Sequence, residues 1–270
     1  MMQNDFVHFK KFFPNYDYGF PKGTSEKLES EYIVGGTDAV HGEFPYQLSL
    51  QQIIAGNIIP FCGAFIIDEN HALTAAHCVV STDVTNLRVV AGDLVLTKND
   101  TTEQVRGIVA KILHEDYHRP SHLNDIALLK VYPAFEFNDY VEPVLLPTQG
   151  QVTNGSCVVS GWGRTSSEGL ESDTLQKVAV PVISEEICRK YYSYAQIADS
   201  MICAGVPEGG LDSCYGDSGG PLMCNEYAAG IVSWGFDCAK PEYPGVYTEV
   251  AFFVDWIEQK MNSSINAINN

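Results

Sequence analysis

From Ile33 onward the chain is a succession of short apolar runs: YQLSLQQI, LRVVAGDLVL, IALLKV, CVVSGW, VAVPVI, GIVSWG and GVYTEV. Gly, Asn, Asp and Pro separate them. Short, regularly spaced strands with turn formers between them predict an all-β barrel or sandwich. One helix is predicted, at the C-terminal end. There Val250, Phe253, Val254, Ile257 and Met261 recur at helical spacing, while Asp255, Glu258 and Lys260 fall elsewhere. The Asn-rich ending NSSINAINN reads as a frayed tail. Residues 1–32 show neither period and read as a removable prosegment.

Charge and cysteine usage narrow the class further. Hydrophobic residues make up 45 % and charged residues 19 % of the 270, enough apolar mass for a real core. Sixteen Lys and Arg stand against 34 Asp and Glu, a formal charge of −18. Such a surplus repels phosphate backbones, which argues against nucleic acid and anionic membrane as partners and is compatible with cationic substrates. No stretch approaches the roughly 20 apolar residues that span a bilayer. Eight dispersed cysteines without a CxxC pair predict four disulfides and an oxidising compartment, with about 105 connectivities open on spacing alone. Charges break up MMQNDFVHFKKFFPNYDYGF, so no secretory signal is visible. Secretion is the expectation nonetheless, with the precursor starting upstream of Met1.

Three segments carry chemistry: TAAHC (Thr74 to Cys78), NDIALLK (Asn124 to Lys130) and DSCYGDSGGPL (Asp212 to Leu222). Each alone has a bland reading, as an interior histidine, a turn-capping aspartate and a tight Gly-rich turn. In the order His, Asp, Ser, with the serine inside GDSGG, they match one of the known chain orders of the charge-assisted triad. A serine hydroxyl is a poor nucleophile at neutral pH. Ser218 therefore needs a base, His77, and a buried carboxylate, Asp125, to fix the tautomer of that base.

With IVGGTDAVHGEFPYQLSL, AAHC, NDIALL, SGWG, MICAG, GDSGGPL, SWG and PGVYTEV, residues Ile33 to about Met261 resemble the trypsin-type serine endopeptidases of the chymotrypsin family, in particular invertebrate digestive zymogens. The resemblance implies two packed antiparallel Greek-key β-barrels, over residues 33–145 and 146–270, with a C-terminal α-helix. It also implies an oxyanion hole from the N–H groups of Gly216 and Ser218. Asp212 matches the base of the primary pocket, where a carboxylate selects Lys or Arg, and Ser213 adds a hydroxyl beside it. Gly235 and Gly245 match the small residues that leave the pocket open. Trp234 and Gly235 match the edge that pairs with extended substrate, and Ser233 is counted with them among the substrate-binding residues.

Two positions depart from the pattern: Asp237 stands where glycine is usual, and Tyr215 where glutamine is usual. By the same resemblance, cleavage between Tyr32 and Ile33 frees an amine that pairs with Asp217. Because Tyr32 is neither Lys nor Arg, activation requires a different protease. The implied disulfides are Cys62–Cys78, Cys157–Cys224, Cys188–Cys203 and Cys214–Cys238. Catalysis of this type needs no cofactor, but Asp93, Asp100 and Glu103 match a calcium loop. Protein substrates, protein protease inhibitors and a monomeric state are the expected associations. Asn99, Asn154 and Asn262 open N-x-[ST] sequons.

Two rival readings follow from the residues. His114-Glu115-Asp116-Tyr117-His118 satisfies H-E-x-x-H, with His122 as an apparent third ligand, but a zinc protease needs that motif on a helix and Arg119-Pro120 interrupts it. A catalytically silent homologue acting as a binding protein would be expected to lose a triad member, and this chain keeps all three.

Overall fold

In the computed structural model, residues 35–164, 169–192 and 196–266 are described. The 1–32 prosegment, Tyr32 and Ile33 lie outside them. Strands β2 (Gln47–Ile54), β3 (Asn57–Ile66), β4 (His71–Thr74), β5 (Leu87–Ala91), β6 (Gln104–Leu113) and β7 (Ala127–Tyr132) close into a barrel in the order β2-β3-β4-β7-β6-β5. Closure leaves no unpaired edge and gives the inward side chains one enclosed core, built on Leu48, Leu50, Phe65, Leu73, Val89 and Leu128.

The second half repeats the solution. Its strands are β8 (Ser156–Gly161), β9 (Gln176–Ile183), β10 (Met201–Ala204), β11 (Pro221–Cys224), β12 (Tyr227–Trp234) and β13 (Gly245–Glu249). They run β9-β10-β13-β12-β11-β8, and β8 pairs back onto β9 to close the ring. All pairings are antiparallel, and Val159, Val180, Leu222 and Tyr247 fill the interior.

Chain order and spatial order part at both ends. β1 (Thr37–Asp38) adds to the outside of β9, pairing Thr37 with Lys177 and Asp38 with Gln176, so the first strand after the leader belongs to the second sheet. At the other end, a 3-10 turn (Val250–Phe252) leads into helix α3 (Val254–Asn266). Val250, Phe253 and Ile257 join the core of the first barrel, so the helix ties the last strand back to the first half. Helix α3 runs through Asn266, which corrects the expectation that the tail frays from Asn262. Ser and Asn have modest helix propensity, but packing of Trp256 and Ile257 one turn earlier anchors the segment.

Two shorter helices join them. α1 (Ala76–Val79) follows β4, and α2 (Glu185–Tyr192) follows β9. The sequence reading missed α2. Its eight residues span only about two turns, too few for an apolar period to stand out. Salt bridges Glu185–Arg189 and Glu186–Lys190 run along it, and Cys188 and Tyr192 face the protein.

All four disulfides join the pairs that the resemblance implied: Cys62–Cys78, Cys157–Cys224, Cys188–Cys203 and Cys214–Cys238. The first fixes α1 to β3, and the last joins two walls of the cavity described next.

Candidate active site

His77 sits in the single turn of α1, where β4 leaves the first barrel, and Asp125 lies two residues before β7 begins. Because β4 and β7 are neighbours in the barrel, the two segments are held side by side. Asp125 is fully buried, and its carboxylate is surrounded by donors. Oδ1 accepts the backbone N–H of His77 at 2.9 Å, and Oδ2 lies 2.7 Å from His77 Nδ1. Ser233 Oγ on β12 donates to Oδ2 at 2.6 Å, and Thr248 on β13 donates to the Asp125 backbone carbonyl at 2.8 Å. Burial alone would raise the pKa of Asp125. Bonds from His122, His77 and Ser233 outweigh it and hold the group well below the usual carboxylate range, ionised at neutral pH.

Ser218 comes from the opposite barrel, in the turn leading to β11. Its carbonyl accepts the N–H of Gly63 on β3 at 2.7 Å, so the turn is fastened to the first barrel. Gly219 explains the sequence requirement here. It has φ of +81°, and a Cβ would lie 2.2 Å from Thr74 Oγ1 and 2.5 Å from the Gly63 carbonyl, so only glycine permits so close an approach. His77 and Ser218 consequently line one cavity of about 290 Å³.

At the base of that cavity lies Asp212, 2 % exposed. Its Oδ2 accepts the Ala239 N–H at 3.0 Å, while the buried Oδ1 has no hydrogen-bond partner among the described residues. Gly245 faces it. A Cβ there would lie 2.6 Å from Oδ1, so a side chain at 245 would occupy the space in front of the carboxylate. Burial, with some repulsion from Asp217, pushes the pKa of Asp212 up to about 7. Among the described residues no cation pairs with this acid. Ser213, Ser233, Trp234 and Gly235 line the same cavity, with Ser213 Oγ bonded to Tyr247 Oη at 3.1 Å.

The two departures occupy the rim. Asp237 adopts φ of +75°, a conformation suited to the glycine it replaces, and its own carboxylate accepts the Cys238 N–H at 2.9 Å. Tyr215 is exposed and carries the Arg164 guanidinium 5.4 Å from its ring centroid.

Asp217 points the other way, into the body of the second barrel. It is fully buried, accepts N–H bonds from Gly163 (2.8 Å) and Cys214 (2.9 Å), and has its pKa pushed up to about 7 by burial. Gly216, just before it, has φ of +99°.

The acidic loop between β5 and β6 holds Asp93, Asp100 and Glu103. Asp93 is half-buried with an Oδ1 that is unpartnered among the described residues, and burial together with the charge of Glu103 pushes its pKa up to about 6. Glu103 accepts the Asp100 N–H at 2.6 Å, and Asp100 lies 3.7 Å from His41 Nδ1. Carboxylates are the ligands that a hard cation takes, although the three of this loop are not among the described residues whose ligand atoms gather within 4.8 Å of one another.

The H-E-x-x-H segment lies in a turn after β6, not on a helix. His114 packs edge-on against Phe253 and tilted against Trp256, and Glu115 pairs with Lys260 and Trp256. His122, by contrast, was read only as part of that motif. It approaches Asp125 Oδ2 to 3.4 Å and packs edge-on to His77 with ring centroids 5.4 Å apart. Its position three residues before Asp125 was the available signal.

His77, Asp125 and Ser218 lie where the two closed barrels meet, and likeness to the trypsins makes the chain a serine endopeptidase, a hydrolase of peptide bonds. A family model described as Trypsin matches residues 33–257. Trypsin-1 of Astacus astacus is 53 % identical over 233 residues, covering 84 % of this chain and 98 % of that protein. Trypsin eta of Drosophila melanogaster is 38 % identical (86 % and 90 % covered) and trypsin I-P1 of Gallus gallus 40 % (87 % and 92 %). The chain belongs to the trypsin family.

Proposed function

We propose that the chain is a secreted digestive zymogen that, once cut between Tyr32 and Ile33, hydrolyses peptide bonds after Lys or Arg through Ser218, His77 and Asp125. One observation carries the specificity: a buried carboxylate, Asp212, with an unpartnered oxygen at the base of the cavity whose rim holds His77 and Ser218. A substrate ammonium or guanidinium would satisfy that oxygen, whereas an apolar side chain would leave it unpaired.

With the basic side chain so held, Ser218 Oγ attacks the scissile carbonyl carbon as His77 takes the hydroxyl proton. The carbonyl π bond opens to an oxyanion, which accepts hydrogen bonds from the N–H groups of Gly216 and Ser218. Collapse breaks the C–N bond, and His77 returns the proton to the leaving amine. Water then attacks the acyl-enzyme by the same route, releasing the acid and restoring Ser218. Asp125, already ionised and held by four donors, keeps His77 in the productive tautomer throughout. No cofactor takes part in these steps.

Activation is supported by Asp217. Its buried carboxylate has two N–H donors but no cationic partner among the described residues, the vacancy that a freed Ile33 amine would fill. The test is cleavage of matched peptides ending in Lys, Arg, Tyr, Phe and Leu by Ile33-terminated enzyme. Cleavage confined to Lys and Arg supports the reading, and cleavage after the aromatic residues contradicts it.

A pH dependence follows in the uncleaved chain. The folded-state pKa of Asp217 lies near 7, above its ordinary 3.8, so between those values the folded chain holds a proton that the unfolded chain has lost. Stability should therefore rise as pH falls from 8 through 7 toward 4. Asp212, also near 7, and Asp93, near 6, act in the same direction. Urea midpoints of uncleaved Ser218→Ala chain should be higher at pH 5.5 than at pH 8, with a smaller difference in the Asp217→Asn variant. Equal pH responses would contradict the assignment.

Calcium is part of the same proposal. Asp93, Asp100 and Glu103 would hold it, and its role is to neutralise their mutual repulsion, not to take part in hydrolysis. Millimolar calcium should raise the melting temperature by a few degrees, an effect of about 1 kcal/mol. Asp93→Asn should remove most of that gain in a thermal scan.

A further inference from the structure

We propose that His77, His122 and Asp125 form a binding site for a zinc-class divalent cation, and that its occupancy reversibly switches the enzyme off. One nitrogen from each imidazole and one oxygen of Asp125 lie within 4.8 Å of one another. Ligand atoms around a tetrahedral ion at about 2.0–2.1 Å stand about 3.4 Å apart. The His122 Nδ1 to Asp125 Oδ2 separation is already 3.4 Å. The 2.7 Å contact between His77 Nδ1 and Asp125 Oδ2 is shorter, so the ion enters by replacing that hydrogen bond, with the His77 ring proton moving from Nδ1 to Nε2 and the ring shifting slightly outward. Both imidazoles are reachable from solvent, with side-chain exposures of 22 % and 33 %, while Asp125 supplies a buried negative charge behind them.

The donor chemistry selects the ion. Two imidazoles and one carboxylate suit zinc and its first-row neighbours, whereas calcium and magnesium take oxygen ligands. His122 is held in place by its backbone. It adopts φ of +51° in a tight loop closed by the His118 N–H to Leu123 carbonyl and Ser121 N–H to His118 carbonyl bonds. Competing donors nearby are committed elsewhere. Cys62 and Cys78, which also approach His77, are joined to each other. His118 Nδ1 is bonded to Ser121 Oγ at 2.7 Å, and His114 is packed against aromatic rings.

An ion on His77 Nδ1 leaves the ring's one proton on Nε2, the nitrogen that must accept the proton of Ser218, so hydrolysis stops until the ion leaves. The inhibitory consequence rests on the catalytic reading above, whereas binding does not.

The experiment titrates zinc chloride against uncleaved full-length chain by calorimetry, and against Ile33-terminated enzyme by peptide cleavage. Wild type should bind one equivalent and lose activity reversibly, with EDTA restoring it. His122→Leu should weaken zinc binding and inhibition at least tenfold, each measured against the variant's own zinc-free state, and His122→Phe, which keeps a ring, guards against misfolding. His118→Ala should respond as wild type does. Binding lost with His122 in a chain that cleaves no peptide supports the metal site and removes the catalytic reading. Undiminished zinc binding in both His122 variants, or no binding by wild type, overturns the proposal.

Discussion

Replacing Ser218 with alanine should lower kcat by about 10⁶-fold while leaving KM for a Lys or Arg peptide nearly unchanged. The substitution removes the one oxygen proposed to form the covalent bond and disturbs little else. The turn around it is fixed by the Gly63 N–H to Ser218 carbonyl bond and by the close approach at Gly219, neither of which uses the side chain. Asp212 and the cavity walls remain, so binding persists without chemistry. Combining Ser218→Ala with His77→Ala should cost little more than either alone, because the base has no task once the nucleophile is gone. Steady-state kinetics on one peptide series checks both statements, and strictly multiplicative losses would show that the two residues do not act as a unit.

Asp212→Ser should lower kcat/KM for Lys and Arg peptides by about 30- to 4,000-fold, as expected for truncating one partner of a desolvated charge pair. Peptides ending in Leu or Phe should be cleaved no more slowly than by wild type. Folding should not suffer, since Asp212 is an isolated buried acid with its pKa pushed up to about 7 and an unpartnered oxygen, which costs stability in the empty pocket. Asp237→Gly is the informative comparison. That carboxylate sits at the rim, bonded to its neighbour's N–H and exposed to water, so its attraction for a cation is screened and its loss should change kcat/KM severalfold at most. Equal losses from the two substitutions would move the specificity determinant from the base of the cavity to its mouth.

Much of this was legible along the chain because it is written locally. Strands such as IALLKV and GIVSWG show their apolar texture in six residues, and GDSGGPL shows a backbone that tolerates no Cβ at Gly219. The triad reading rests on the order of three short motifs, whereas the disulfide pairs, which spacing left open, came through resemblance. What was not legible depends on contacts distant in sequence. β1 joins β9 across some 140 residues, a pairing that two exposed residues, Thr37 and Asp38, do not announce. The contact of His122 with Asp125 depends on a left-handed backbone at His122, which L-residues seldom adopt and sequence does not advertise. Within H-E-x-x-H the same histidine invited a different grouping, and only the turn that separates it from His114 resolves the matter. The missing partner of Asp212 Oδ1 is likewise a property of enclosure, produced by residues 212, 235 and 245 converging from separate segments.

The proposed hydrolysis depends on Ser218 being the nucleophile of an active hydrolase rather than a surviving residue of a silent one. Its most direct test is reaction of Ile33-terminated enzyme with a radiolabelled organophosphate, followed by mapping of the labelled peptide. The account predicts one label per molecule on Ser218, activity lost in proportion to labelling, and no labelling in His77→Ala. Undiminished cleavage by fully exposed enzyme with Ser218 unlabelled, or label on another residue in step with lost activity, would contradict it.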